Sequence, residues 1–125
     1  MRRINSTNAP TPFGNYSHAT EHNGLVFVSA QLPALPDGTH AADASVDVQA
    51  ERVIDNLEAV LAEAGSSVAH IIKMHVFITD MATRPAFEDA WSRRYDNVRP
   101  ARTMMMVAGL NHGYAVSVDA IAATD

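Results

Sequence analysis

The side chain best placed to do chemistry is Arg102, in a run at 99–107 that reads Arg-Pro-Ala-Arg-Thr-Met-Met-Met-Val. Pro100 fixes its own φ and pushes Arg99 towards an extended conformation, so the chain enters the apolar run straight rather than helical. That run has the length and apolarity of a buried strand. A guanidinium at the mouth of a core element is permanently charged and costly to bury alone, so it needs an anion. An internal carboxylate is the ordinary partner. The planar fork also matches a small carboxylate ligand in two parallel hydrogen bonds, which keeps a binding role open.

Other candidates are weaker. Six histidines offer no metal constellation. His18 and His22 are four apart, but in a segment without helical pattern and with no third ligand in view, and they read as surface or loop residues. His75, on a strand face, reads as a partly buried core residue rather than a base. Asp80, Glu88 and Asp89 form no acid/base pair and read as solvated, while Met104 to Met106 read as packing material. Gly-x-Ser-x-Gly, the P-loop and Gly-x-Gly-x-x-Gly are all missing, and cysteine is absent, which excludes thiolate catalysis and cysteine metal sites. No metal or cofactor is expected.

The elements that must position Arg102 follow from periodicity. With 125 residues, 47% of them hydrophobic, the chain is expected to be one domain over 1–125. A formal charge of -5 lacks the basic patch that nucleic acid demands. Neither a signal peptide nor an apolar run of membrane-spanning length is apparent, so a cytoplasmic protein with no membrane partner is the expectation. Residues 1–23, broken by Pro10, Pro12 and Gly14, allow at most one short edge strand. Residues 25–30 predict a strand, and apolar residues from Val46 to Ala64 keep helical spacing up to a capping Gly65. Residues 71–79 predict a second strand, with Ile72, Met74, Val76 and Ile78 on one face and Ile71, Lys73, His75 and Phe77 on the other. Pro85 opens a second helix carrying Phe87, Ala90 and Trp91 inward. Strands at 103–108 and 115–122 complete the set.

This order predicts an α+β domain, a mixed sheet with two helices packed on one face. Apolar residues nevertheless occupy both faces of the strands, and two helices cover only one. The other would be left in water, so association through it is the economical solution.

Pro100-Ala101-Arg102-Thr103 resembles the hallmark of the Rid (YjgF) family of enamine/imine deaminases. Asn8-Ala9-Pro10 with Gly14-Asn15-Tyr16-Ser17, Ser29-Ala30-Gln31-Leu32-Pro33, Asn56-Leu57, Ala64-Gly65-Ser66-Ser67, Lys73, Val76-Phe77, Asp80-Met81 and Ala120-Ile121-Ala122 are similar to further family segments in the same order. The resemblance implies a chorismate-mutase-like fold and a homotrimer with sites in the clefts between subunits. It implies hydrolysis of 2-aminoacrylate or 2-iminopropanoate to pyruvate and ammonia, without metal or cofactor. Arg102 would hold the substrate carboxylate and Tyr16 would wall the site or carry a hydrogen bond. Ser29, Ala30, Thr103, Met104, Phe87 and Glu88 would be the remaining substrate contacts.

The chain departs from the family pattern at four of these places. Ser117 stands where many deaminating members carry a water-positioning glutamate, with Asp119 two residues on, about 6–7 Å along the strand. Ala30 replaces a turn glycine, Glu88 a common asparagine, and Met104 a small residue or cysteine. Carboxylate binding survives these changes. They open two alternatives: a non-catalytic carboxylate-binding or protein-protecting member, and a deaminase for a larger, pathway-specific enamine.

Overall fold

The helical spacing after position 45 is realised as α1 (Val46–Glu63) in the computed structural model, which describes residues 1–124. Ser45 caps its start, the side-chain oxygen accepting from the Val48 N–H at 3.3 Å. Its end closes through Gly65, at φ 78°, which lets the Ser66 N–H reach Leu61 O at 2.9 Å and the Gly65 N–H reach Ala62 O at 3.1 Å. Only a residue without Cβ takes that left-handed turn cheaply. The stripe Ala50, Val53, Ile54, Leu57, Val60 and Leu61 is fully buried.

The sheet contains β1 (Arg2–Ile4), β2 (Ala19–His22), β3 (Leu25–Gln31), β4 (Ile71–Ile78), β5 (Ala101–Met106) and β6 (Val116–Ala123), in the order β1-β2-β3-β6-β4-β5. All neighbours are antiparallel except β4 and β5, which run parallel and are joined through α2 (Arg84–Arg94). The mixed sheet and two-helix layer are therefore as expected. Val26, Val28, Met74, Val76, Ile78, Val116, Val118 and Ala120 face α1 together with Phe87 and Ala90 of α2 in one core.

Three expectations need correction. The first 23 residues supply two strands, not at most one, with Ile4 and Ala19 buried and the prolines confined to the loop between them. Strands of three and four residues are too short to show a period. In β4 the alternation slips: Ile71 pairs with Ala122 but Lys73 pairs with Ile121, leaving Ile72 unmatched. Ile71 is accordingly buried and Ile72 is 49% exposed, the reverse of a strict period of two. Finally, β5 begins at Ala101 and stops at Met106, because its parallel ladder starts opposite Lys73 and ends opposite Ile78.

Register fixes what the second face carries. Phe27 lies opposite Ile121, Ile121 opposite Lys73, and Phe77 opposite both Ser117 and Met105. Phe27 is 43% exposed on this face. The uncovered apolar surface expected from the sequence is present.

Candidate functional site

Arg102 lies in β5 beside Met74, on the face that looks towards the helices, and there it meets Glu88 of α2. Its Nη1 and the Glu88 Oε1 form an ion pair, with the two side chains 26% and 41% exposed. That Oε1 is shut off from solvent and has no further partner among the described residues. Glu88 is thus partly solvated, as its sequence context suggested, but one of its carboxylate oxygens is committed to Arg102. The guanidinium is neutralised from within, but it is not sealed. A cavity of about 380 Å³ opens beside the pair, walled by Met74, Trp91, Tyr95, Asn97, Val98, Arg99 and Pro100.

The segment after α2 shapes that wall. The Trp91 Nε1–H donates to Val98 O at 2.9 Å, folding residues 95–100 back over the helix end, and Asn97 turns the chain at φ 62°. Arg94 braces α2 on α1 through Asp55 and Glu58, each at 2.7 Å, and Glu51 at 3.0 Å. The Tyr95 hydroxyl donates to Glu58. Burial first, and that hydrogen bond second, push the Tyr95 phenol above its ordinary value.

A second cavity of about 450 Å³ gathers Tyr16, Ser29, Ala30, Leu32, Gly109, Leu110, Asn111 and Ser117. Tyr16 is half exposed and its Oη accepts from the Phe13 N–H at 3.3 Å. Ser29 is fixed by its hydroxyl, which donates to Ser17 O at 2.7 Å. The loop bearing Leu32 is pinned by the buried Asn56 amide, which donates to Leu32 O and Ala34 O at 2.8 Å each. His18 is a loop residue but not a surface one. It is buried, and its Nδ1 accepts from the Ser6 N–H at 2.9 Å, so Nε2 carries the proton shared with Pro10 O.

The remaining expected contacts divide. Phe87 is fully buried in the core beneath α2, so within the protomer it supports Glu88 rather than touching a ligand. Met104 is half buried against the core. Thr103 points to the opposite, open face, where it accepts from Lys73 Nζ at 2.8 Å. Arg102 and Glu88 therefore line one cavity while Tyr16, Ser29, Ala30 and Ser117 line another, and none of the described residues borders both. Sequence pattern also gave no sign of the ring cluster of Phe13, His40, His112 and Tyr114, in which the imidazoles stack at 3.7 Å and His40 Nδ1 lies 2.7 Å from the Tyr114 hydroxyl. Among the described residues no three His, Asp or Glu side chains are grouped to hold a metal ion, and no helix is long and apolar enough to cross a membrane.

Residues 6–124 match the model of the family described as Endoribonuclease L-PSP. Protein DfrA of Myxococcus xanthus is 34% identical over 123 residues, covering 97% of this chain and 94% of the relative. The crystal structure of E. coli TdcF with bound serine superposes with a TM-score of 0.93 at 31% identity, covering 100% of both chains. RidA from the Antarctic bacterium Psychrobacter sp. PAMC 21119 gives a TM-score of 0.92 at 28% identity, over 98% of this chain and 99% of that one.

Proposed function

Since the chain belongs to the YjgF/RidA/RutC family, the one described as Endoribonuclease L-PSP, we propose that it is a hydrolytic deaminase of small enamine/imine acids of the 2-aminoacrylate/2-iminopropanoate type. The observation that carries this reading is Arg102 at the edge of an open cavity, its charge met by one internal carboxylate and its side chain still reachable from solvent. In the reaction, Arg102 holds the substrate carboxylate in charge-assisted hydrogen bonds, which fixes C2 for attack. The oxygen of a water molecule adds to C2 of the C=N bond and a proton passes to nitrogen. The C–N bond of the resulting carbinolamine then breaks, releasing ammonia and leaving the 2-oxoacid. An imine is already electrophilic, so positioning and electrostatics supply most of the acceleration required.

The two half-sites lie apart within one protomer, and the sheet has an uncovered apolar face. We join these by proposing a homotrimer in which the Arg102 edge of one copy closes over the Tyr16, Ser29, Ala30 and Ser117 cavity of the next. A formal charge of -5 favours a small acid over an RNA substrate.

The test is the decay of 2-iminopropanoate generated in place by an amino-acid oxidase. Arg102→Ala is expected to slow enzyme-dependent decay at least thirtyfold, roughly 2 kcal/mol of lost carboxylate binding. Equal decay with both proteins rules this substrate out. Ser117, where a glutamate would position water, favours one second reading, a non-catalytic binder of small carboxylates. Pyruvate binding by calorimetry without turnover of any imine offered would select it.

A further inference from the structure

We propose that Glu88 makes this site select acids that carry a cationic nitrogen beside their carboxylate, so that an iminium acid is held and the 2-oxoacid formed from it is expelled. The inference rests on the assignment of Arg102 as the carboxylate grip. It concerns what else the ligand must bring.

The argument begins with one oxygen. Oε1 of Glu88 is closed to solvent and its whole compensation, among the described residues, is the ion pair with Arg102. A ligand carboxylate that takes the guanidinium for itself strands this oxygen, and a buried acceptor without a donor is expensive. A ligand carboxylate that shares the fork with Glu88 sets two negative groups against one positive group. Both arrangements penalise a simple 2-oxoacid. Both are relieved when the ligand carries an N–H cation on C2, one bond from the carboxyl carbon, because its nitrogen supplies the donor and the charge that Glu88 has lost.

Geometry fixes the backbone of Glu88, and its side chain, 41% exposed, stands at the rim of the cavity. It sits on α2 between the buried Phe87 and the half-buried face of Trp91, and α2 is braced to α1 by Arg94. The cavity reaches both Glu88 and Arg102, so one small molecule can address the pair together. The other acidic group on the wall, Asp96, and the second cation, Arg99, belong to the returning segment rather than to the pair. The consequence for turnover follows from the atoms. Before hydrolysis the ligand carries C2=NH2⁺ against Glu88; afterwards that position is a neutral carbonyl oxygen, an acceptor facing a carboxylate. Hydrolysis itself removes the group that satisfied Glu88, and product affinity falls.

Alanine and pyruvate test this, since both are three-carbon acids and differ in the C2 substituent. Binding of each to the full chain is measured by calorimetry for wild type, Glu88→Gln and Arg102→Ala, with thermal melts as the check on folding. Wild type is expected to prefer alanine to pyruvate by at least about tenfold. Glu88→Gln, which keeps the shape but not the charge, is expected to tighten pyruvate and to lower the alanine-to-pyruvate preference at least about tenfold. An unchanged preference in Glu88→Gln, with binding still lost in Arg102→Ala, overturns the role of Glu88 and leaves the carboxylate site standing. Failure of both acids to bind wild type overturns both. Glu88→Asn provides an independent variant, expected to move the preference in the same direction as Glu88→Gln.

Discussion

His75 Nδ1 lies 2.7 Å from Asp119 Oδ1, directly across the antiparallel pair of β4 and β6, on the sheet face that no helix covers. The two side chains are 36% and 32% exposed in the protomer. They stand among Phe27, Phe77, Met105 and Ile121, with Lys73 and Thr103 beside them. A polar pair in the middle of an apolar surface reads differently according to whether that surface is wet or covered.

In the isolated protomer the pair is worth at most about 1 kcal/mol. Covered by other copies, it is dry, and losing one partner strands the other at a cost of about 3–5 kcal/mol. Asp119→Asn is therefore expected to leave the secondary structure of the dilute protein unchanged while raising the dissociation concentration of the assembly at least tenfold. Sedimentation equilibrium over a dilution series measures it. Equal association of variant and wild type would mean that this face stays in water.

The sequence was most informative where a local period and a local cap agreed. α1 was legible because its apolar spacing, Ser45 and Gly65 all lie within one stretch of chain. Arg102 was legible as an anomaly, a charge inside an apolar run. Its partner was not, because Glu88 is fourteen positions earlier and reaches it only through the parallel α2 crossover, which no local pattern encodes. The slip at Ile72 was hidden for a related reason: a bulge is decided by pairing with β6, while Ile-Ile reads equally well on either face. The division of the site residues between two cavities depends on which sheet face each strand presents. That too is settled by register and not by composition.

Phe87 separates structural from binding roles. It was expected at the substrate, but it is fully buried in the core one residue before Glu88. Phe87→Ala is expected to cost about 3–5 kcal/mol of stability, measured by urea denaturation. Phe87→Leu, which keeps most of the volume, is expected to cost much less and to leave pyruvate affinity within about twofold.

Asn56 holds the loop that supplies Leu32 to the second cavity. Its amide is the donor for two backbone carbonyls, Leu32 O and Ala34 O. Removing it leaves one buried and one partly buried acceptor without this donor, so Asn56→Ala is expected to destabilise the fold by about 2–4 kcal/mol. Asn56→Asp places a carboxylate against both carbonyls and should be worse at neutral pH than at pH 4, where protonation restores one donor. Melting temperatures of the two variants at both pH values provide the measurement.

One buried phenol, Tyr114, and one half-buried phenol, Tyr95, predict the alkaline limit of stability. Desolvation raises Tyr95, aided by Glu58, and desolvation also raises Tyr114. An acid whose folded value lies above its unfolded one is neutral in the native state, so its contribution is complete below the unfolded value of about 10 and is lost as pH rises beyond it. The melting temperature is expected to be flat with respect to these groups up to about pH 10 and to fall above it. Tyr114→Phe should make that fall shallower. An identical alkaline slope in the variant would remove Tyr114 from the account.

The most direct test of the shared site mixes two defective chains. Arg102→Ala keeps the cavity of Tyr16, Ser29, Ala30 and Ser117 but lacks the cation, whereas Tyr16→Ala keeps the cation and damages the cavity wall. Each variant alone is expected to be inactive towards 2-iminopropanoate or nearly so. Unfolded together in equal amounts and refolded, they assemble at random. A cleft is then intact only where the Tyr16→Ala copy lends its Arg102 to an Arg102→Ala neighbour, which happens at about one cleft in four in a cyclic trimer. Recovery of about a quarter of the wild-type rate is the expected result. If Arg102 and Tyr16 served a ligand within a single chain, no mixture would contain a whole site, and the refolded sample would stay as inactive as its parents.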